Sequence, residues 1–374
     1  MKKLAVLLAV LVLLAGCGKT VKTPVLPAPV NFADDVKGIW VSYLELDAAF
    51  RNADPAAARA YIETVMETVK NDGFNTVFFH VRAYGDAYYA SDIFPAAVST
   101  AHLLKAGFDP LSVAVEAAHK RGLSLHAWVN PYRLGADASH AVCTDVYAWE
   151  ETFYYIPTSL TVQRCILDGV RELVTKYAVD GVQFDDYFYP AGLPAEALPF
   201  ETFPAGISAA DGRRAAVNTL VAGTFAAVHT RKDALFGISP TGNIDRNRDT
   251  LYADVARWTQ YAGYVDYLCP QVYSGFLNET LPFDKQIAAF AALPRAKNVR
   301  LYAGLALYKT GDKDMFAGDG VDEWQKNSDI LSRQITAAED AGFTGVVLFR
   351  YDHWTESTND IRKKEKQGVI ETFS

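Results

Sequence analysis

One short stretch concentrates groups able to do acid–base work: Val179-Asp180-Gly181-Val182-Gln183-Phe184-Asp185-Asp186-Tyr187-Phe188-Tyr189-Pro190. An apolar run leads straight into the adjacent carboxylates Asp185 and Asp186. Where such a run ends, desolvation and mutual repulsion raise one carboxyl pKa and leave the other ionised, which is what an acid and its partner require. Side chains alternate along a strand, so if Gln183 and Asp185 face one way, Asp186 joins them only where the backbone turns. The competing reading is structural, with one aspartate capping the next loop or pairing with Arg82 or Arg133. A metal centre finds little support, because the seven histidines are scattered and no His-x-His pair stands at a strand end.

The elements that must position this pair repeat. Short apolar, β-branched and aromatic runs predict strands at 38–44, 76–82, 124–130, 181–185, 235–239, 267–271, 300–305 and 345–350. Helical patterns fall between them near 55–72, 109–121, 161–178, 208–231, 249–261, 284–292 and 328–341, several stopped by glycine (Gly73, Gly122, Gly342). Eight strands alternating with helices predict an α/β fold, a closed (β/α)₈ TIM-type barrel over 36–354, as a single domain with long loops after the strands. Residues 355–374, rich in Lys and Glu, form either a closing helix or a tail. No glycine-rich phosphate loop follows the first strand, so a dinucleotide fold is disfavoured.

In such barrels the chemistry sits at the strands' C-terminal ends. Polar and aromatic residues gather there: Tyr43; Arg82 and Tyr84; Trp128, Asn130, Tyr132 and Arg133; Tyr187; Gln271 and Tyr273; Tyr308; Asp352 and Trp354. Aromatic faces beside hydrogen-bonding side chains suit a sugar, whose ring has apolar C–H faces and a hydroxyl rim. Arg82, Tyr84, Trp128, Asn130, Tyr132, Arg133, Tyr187, Gln271, Tyr273, Tyr308 and Asp352 are therefore expected to bind substrate, with Asp185 and Asp186 catalytic. No metal or other cofactor is expected.

The chain of 374 residues is 50% hydrophobic and 21% charged, a globular composition, and its net charge of −8 offers no basic footprint for nucleic acid. Lys2 and Lys3 precede an apolar run from Leu4 to Leu14, followed by Ala15-Gly16-Cys17. This is the pattern of a secretory signal over 1–16, too short to span a bilayer permanently. Small residues before the cysteine resemble the bacterial lipobox, which implies lipidation of Cys17, a membrane anchor and a place in the bacterial cell envelope. Residues 18–35, with Pro24, Pro27 and Pro29, read as an extended tether. Cys143, Cys165 and Cys269 are expected as buried thiols with at most one disulfide. Oligomeric state is not legible.

Several motifs together resemble the glycosyl-hydrolase-like family 10 proteins of bacterial envelopes. They are Gly38-Ile39-Trp40-Val41-Ser42; Gly73-Phe74-Asn75-Thr76-Val77 running to His80-Val81-Arg82; Asp109-Pro110-Leu111; His126-Ala127-Trp128-Val129-Asn130-Pro131-Tyr132-Arg133; the Asp180–Pro190 stretch; Gly237-Ile238-Ser239-Pro240; and Asp266-Tyr267-Leu268-Cys269-Pro270-Gln271-Val272-Tyr273. The resemblance implies a TIM-type barrel and glycoside hydrolysis, with cell-wall glycan among the substrates.

Many retaining barrel glycosidases carry a carboxylate nucleophile on strand 7, but here that strand ends Gly304-Leu305-Ala306. The chitinase-type Asp-x-Asp-x-Glu pattern is also broken, by Gln183 and Tyr187. An adjacent pair is similar to that of glycoside hydrolase family 84, where the substrate's own N-acetyl oxygen attacks. In that scheme Asp185 orients the acetamido group and Asp186, kept protonated, donates to the leaving oxygen, with retention of configuration. An inverting scheme would instead use Glu45 or Asp352 as the second group. Two other classes stay open: a lipoprotein that binds glycan without cleaving it, and a metal-dependent polysaccharide deacetylase.

Overall fold

The computed structural model describes residues 26–356 and 358–374; the signal segment and Cys17 lie outside the described residues. Eight parallel strands, β1 (Val36–Val41), β2 (Thr76–Arg82), β3 (Ser124–Val129), β4 (Gly181–Phe184), β5 (Leu235–Ile238), β6 (Tyr267–Leu268), β7 and β8 (Gly345–Leu348), pair in chain order. β7 comes in two pieces: Arg300–Leu301 pairs with β6 and Ala303–Leu305 with β8. Since β8 also pairs with β1, the ring closes. The fold is the TIM-type barrel the alternating pattern predicts.

Each strand is followed by a helix: α1 (Pro55–Asn71), α2 (Pro110–Lys120), α3 (Leu160–Lys176), α4 (Ala209–Val228), α5 (Val255–Gln260), α6 (Phe283–Ala291), α7 (Ile330–Asp340) and α8 (Asp360–Phe373). α1 shows the local logic. Asp54 caps its first turn by accepting from Ala57 N, Pro55 opens it, and Ala58, Ile62, Val65, Met66 and Val69 bury one face. Gly73 then takes φ +89°, a conformation that favours glycine, and turns the chain into β2.

Of the two forms expected for residues 355–374, the chain takes the helix, α8. The last segment is the eighth barrel helix: Glu365 accepts from the first N–H groups of α7, Ile330 and Leu331, and Phe373 packs edge-on against Phe74. The tether boundary moves. From Pro27 the chain is fastened across the barrel's lower end, with Pro27 O accepting from Arg231, Val30 N donating to Asp180, Ala33 O accepting from Tyr302 and Asp34 paired with Arg300. Asp180 also accepts from Leu125 N and pairs with His119 at 2.9 Å, so it is a structural hub at the opposite end of β4 from Asp185 and Asp186.

Inward-facing aromatics fill the barrel, among them Trp40, Phe78, Trp128, Tyr267 and Tyr302. They fit because neighbouring strands present glycine: a Cβ on Gly237 would sit 2.1 Å from the Tyr267 ring, and one on Gly304 3.0 Å from Trp40. Burial pushes the Cys165 thiol up to about 12.

The long loop after β4 carries the catalytic candidates, and a buried cation anchors it. The Arg213 guanidinium, on α4, pairs with Glu201 at 2.7 Å and donates to the carbonyls of Pro194 and Glu196 and to Tyr252. Every strong bond of that fork is used, so its removal strands a buried carboxylate. Arg213→Ala is expected to cost about 3–5 kcal/mol in chemical denaturation; a loss below about 1 kcal/mol contradicts this anchoring role.

Candidate active site

A pocket of ≈ 270 Å³ opens at the C-terminal end of the barrel. Asp185 ends β4 facing the axis, while the chain bends at Asp186, where Phe188 N bonds back to its carbonyl. Both carboxyls line the pocket. Asp185 Oδ2 accepts from Trp128 Nε1 at 3.2 Å; its Oδ1 accepts from Gln271 Nε2 and from Asp186 N, each at 2.9 Å. Gln271 is fixed in turn by donating to Ser239 O at 3.2 Å.

Burial, with repulsion from Asp186 second, holds the Asp185 carboxyl well above the usual carboxylate range; the N–H donors oppose this but do not overcome it. Burial also raises Asp186, against the lowering pull of its bond to Asp185 and of the Arg246 charge. The pair therefore titrates as a unit and keeps a proton above the ordinary range. Asp185 is the more enclosed of the two: it is 6% exposed and Asp186 is partly open.

Around the pair, Trp128 forms the floor, stacked on His80 at 3.7 Å. Burial keeps the His80 ring neutral, with its Nε2 unpartnered. Asn130 donates to Ala83 O and leaves its buried Oδ1 unpaired beside the pocket. Arg133 lies 4.7 Å from the Tyr187 ring and 5.1 Å from Tyr84, a clamp in which Tyr84 stands behind the wall, bonded to Tyr43. Tyr273 lines the opposite side, stacked on Phe349.

Other expected binding residues lie elsewhere. The ladder between β2 and β3 slips between His80 and Arg82, and that irregularity sends Arg82 outward, where its guanidinium covers Phe94 and donates to Pro131 O. Tyr132 is fully buried in the layer outside the barrel. Tyr308 supports Tyr273 from behind, and Trp354 packs on Phe74 and donates to Asp72. Asp352 does not reach the pocket, because Arg350 binds it at 2.6 Å and Glu45 at 2.8 Å. Asp185 and Asp186 are thus the two carboxylates among the described residues that line the pocket, and the inverting scheme through Glu45 or Asp352 has no support in this geometry. No group of three His, Cys, Asp or Glu among the described residues is placed to hold a metal ion.

Trp40, Ser42, His80, Ser239 and Phe349 also line the pocket and were not assigned to it from sequence. The signal was available: each is an inward position by strand alternation. Trp40 is further fixed by donating to Gln183 Oε1 at 2.7 Å.

The raised Asp185 value has a consequence for stability. The folded chain binds more protons than the unfolded chain from about pH 4 up to the raised value, so stability falls as pH rises through that window. Asp185→Asn removes this penalty. It is expected to be more stable than the parent at pH 8, by about 1 kcal/mol or more, with the gap closing towards pH 4 in urea melts; a pH-independent difference contradicts the assignment.

The sequence profile described as Glycosyl hydrolase-like 10 matches residues 35–319. The chain is 30% identical to glycosyl hydrolase DigH of Escherichia coli (strain K12), across 93% of this chain and 92% of that one. It is 29% identical to glycosyl hydrolase YngK of Bacillus subtilis (strain 168), across 74% of this chain and 61% of the relative. Among solved structures, the glycoside hydrolase domain of PgaB (BpsB) from Bordetella bronchiseptica aligns with a TM-score of 0.62 at 12% identity, covering 93% of this chain and 99% of that domain. The catalytic domain of β-amylase from Paenibacillus polymyxa aligns with a TM-score of 0.57 at 12% identity, covering 91% and 99%. At such identities these two likenesses concern the fold alone. The profile match extends from the start of β1 past the end of β7, through every strand that forms the pocket except β8, and on this ground the chain belongs to the glycosyl hydrolase-like 10 family.

Proposed function

We propose that this protein is a glycoside hydrolase acting on an N-acetylated glycan of the bacterial envelope, peptidoglycan-type strands above all, by a retaining, substrate-assisted route. The observation that carries the reading is the adjacent carboxyls Asp185 and Asp186, both raised by burial, in a pocket walled by Trp128, Tyr187 and Tyr273. With no other carboxylate lining the pocket among the described residues, a nucleophile from the substrate itself fits better than a protein one.

In this scheme the acetamido N–H donates to Asp185. That bond favours the Asp185 anion and moves the shared proton to Asp186. The acetamido oxygen attacks the anomeric carbon as the glycosidic bond breaks, and Asp186 delivers its proton to the leaving oxygen. Asp186 then takes a proton from water as that water opens the cyclic intermediate, so two inversions leave the configuration retained. Trp128 and Gln271 hold Asp185 in line throughout.

The same reading places the chain at the envelope through lipid on Cys17. The barrel is gripped from Pro27 onward at its lower end, so an anchor attached there would leave the pocket opening away from the membrane. A glycan-binding protein that does not cleave is the reading to beat, and the acid separates the two. Asp186→Asn is expected to lower kcat by about 10²–10⁴-fold on purified peptidoglycan, with or without stem peptides, while glycan binding is kept. Products are read by mass spectrometry. Equal turnover of an analogue without the 2-acetamido group, or no product from the parent protein, contradicts the proposal.

A further inference from the structure

A second compartment of ≈ 280 Å³ lies beside the first, and the two share Asp186 and Tyr187 as a common wall. Its other sides come from different elements. The two-residue hairpin joining strands Val146–Trp149 and Thr152–Tyr155, inserted after β3, supplies Trp149 and Tyr154; the loop after β4 supplies Pro190; the loop after β5 supplies Arg246. Glu150, at the hairpin tip, takes φ +52°. Trp149 is only partly covered, and its ring is oriented by donation from Nε1 to Ala191 O at 3.1 Å.

An aromatic plate, a neighbouring tyrosine and a cation around an open hollow are what a sugar ring with polar substituents would meet. Each compartment falls just below the range of about 300–1,000 Å³ usual for drug-sized ligands. One ring in each therefore fits better than a chain in either. The position of Asp186 gives the division its meaning, because an acid that protonates a leaving oxygen must stand at the bond being broken, with one part of the substrate on either side.

We propose that the second compartment is the leaving-group subsite, holding the sugar on the far side of the scissile bond, with Trp149 as its stacking platform and Arg246 at its rim. The inference rests on the hydrolase reading above and deepens it: the glycan crosses the Asp186–Tyr187 wall, with one ring in each hollow. Arg246 also lowers the Asp186 value electrostatically, so occupation of this hollow and readiness of the acid are neighbours in space.

The test compares two substrates on the full protein: an N-acetylated oligosaccharide, and a 2-acetamido glycosyl fluoride whose leaving group is one atom and cannot fill the hollow. Trp149→Ala is expected to lower the ratio of kcat/KM for oligosaccharide over fluoride by about tenfold, chiefly through KM, and Trp149→Phe to recover most of it. Circular dichroism and thermal melts confirm that both variants fold. An unchanged ratio in Trp149→Ala, or an equal loss on both substrates, overturns the subsite while leaving the hydrolase reading intact. If the parent protein cleaves neither substrate, the hydrolase reading falls and the subsite with it.

Discussion

Two adjacent carboxyl groups at a barrel mouth, one enclosed and the other partly open, cannot both carry charge at low cost, and the rest of this site is arranged around that constraint. Asp185 is enclosed by the barrel mouth and receives N–H donors from Trp128, Gln271 and the Asp186 backbone. Asp186 stands where the chain leaves β4 and turns over the rim. Burial raises both carboxyls, and Asp186 stands at the boundary between two hollows. The supports are rigid: Gln271 is tied to Ser239, Trp128 to His80, and the loop beyond Asp186 to Arg213.

Much of this was legible in the sequence, for identifiable reasons. Strands buried on both faces read as continuous apolar runs, and the (β/α)₈ alternation followed from counting them. Eight of the residues expected at the site, Asp185, Asp186, Trp128, Asn130, Arg133, Tyr187, Gln271 and Tyr273, line the pocket because strand ends converge there whatever the loops do. Arg82 shows where such reasoning stops. Simple alternation points it inward with His80, and a one-residue slip in the ladder turns it out.

Other departures share a cause: beyond a strand's end the period of two no longer applies. Tyr132 follows β3 in a bend and Trp354 follows β8 in the short helix Tyr351–Thr355, and both side chains pack in the outer core. Asp352 was expected to face the pocket and is bound instead by Arg350, which no local pattern announces. Helix α8 was hard to read because its buried face includes Arg362 and Glu365 beside Val369 and Phe373, so its apolar stripe is thin. Trp40 and Phe349 look like core residues, and they are core residues that also form the pocket's inner wall.

In the free protein the Asp185–Asp186 pair is expected to hold a proton above the ordinary carboxylate range. Carbon-13 NMR of aspartate-labelled protein, with the two resonances assigned from Asp185→Asn and Asp186→Asn, follows both carboxyl carbons directly across a pH titration. Two coupled transitions are expected, the later one displaced upward and reported by both carbons. Two independent transitions near pH 4 would show that neither carboxyl is perturbed and would contradict this.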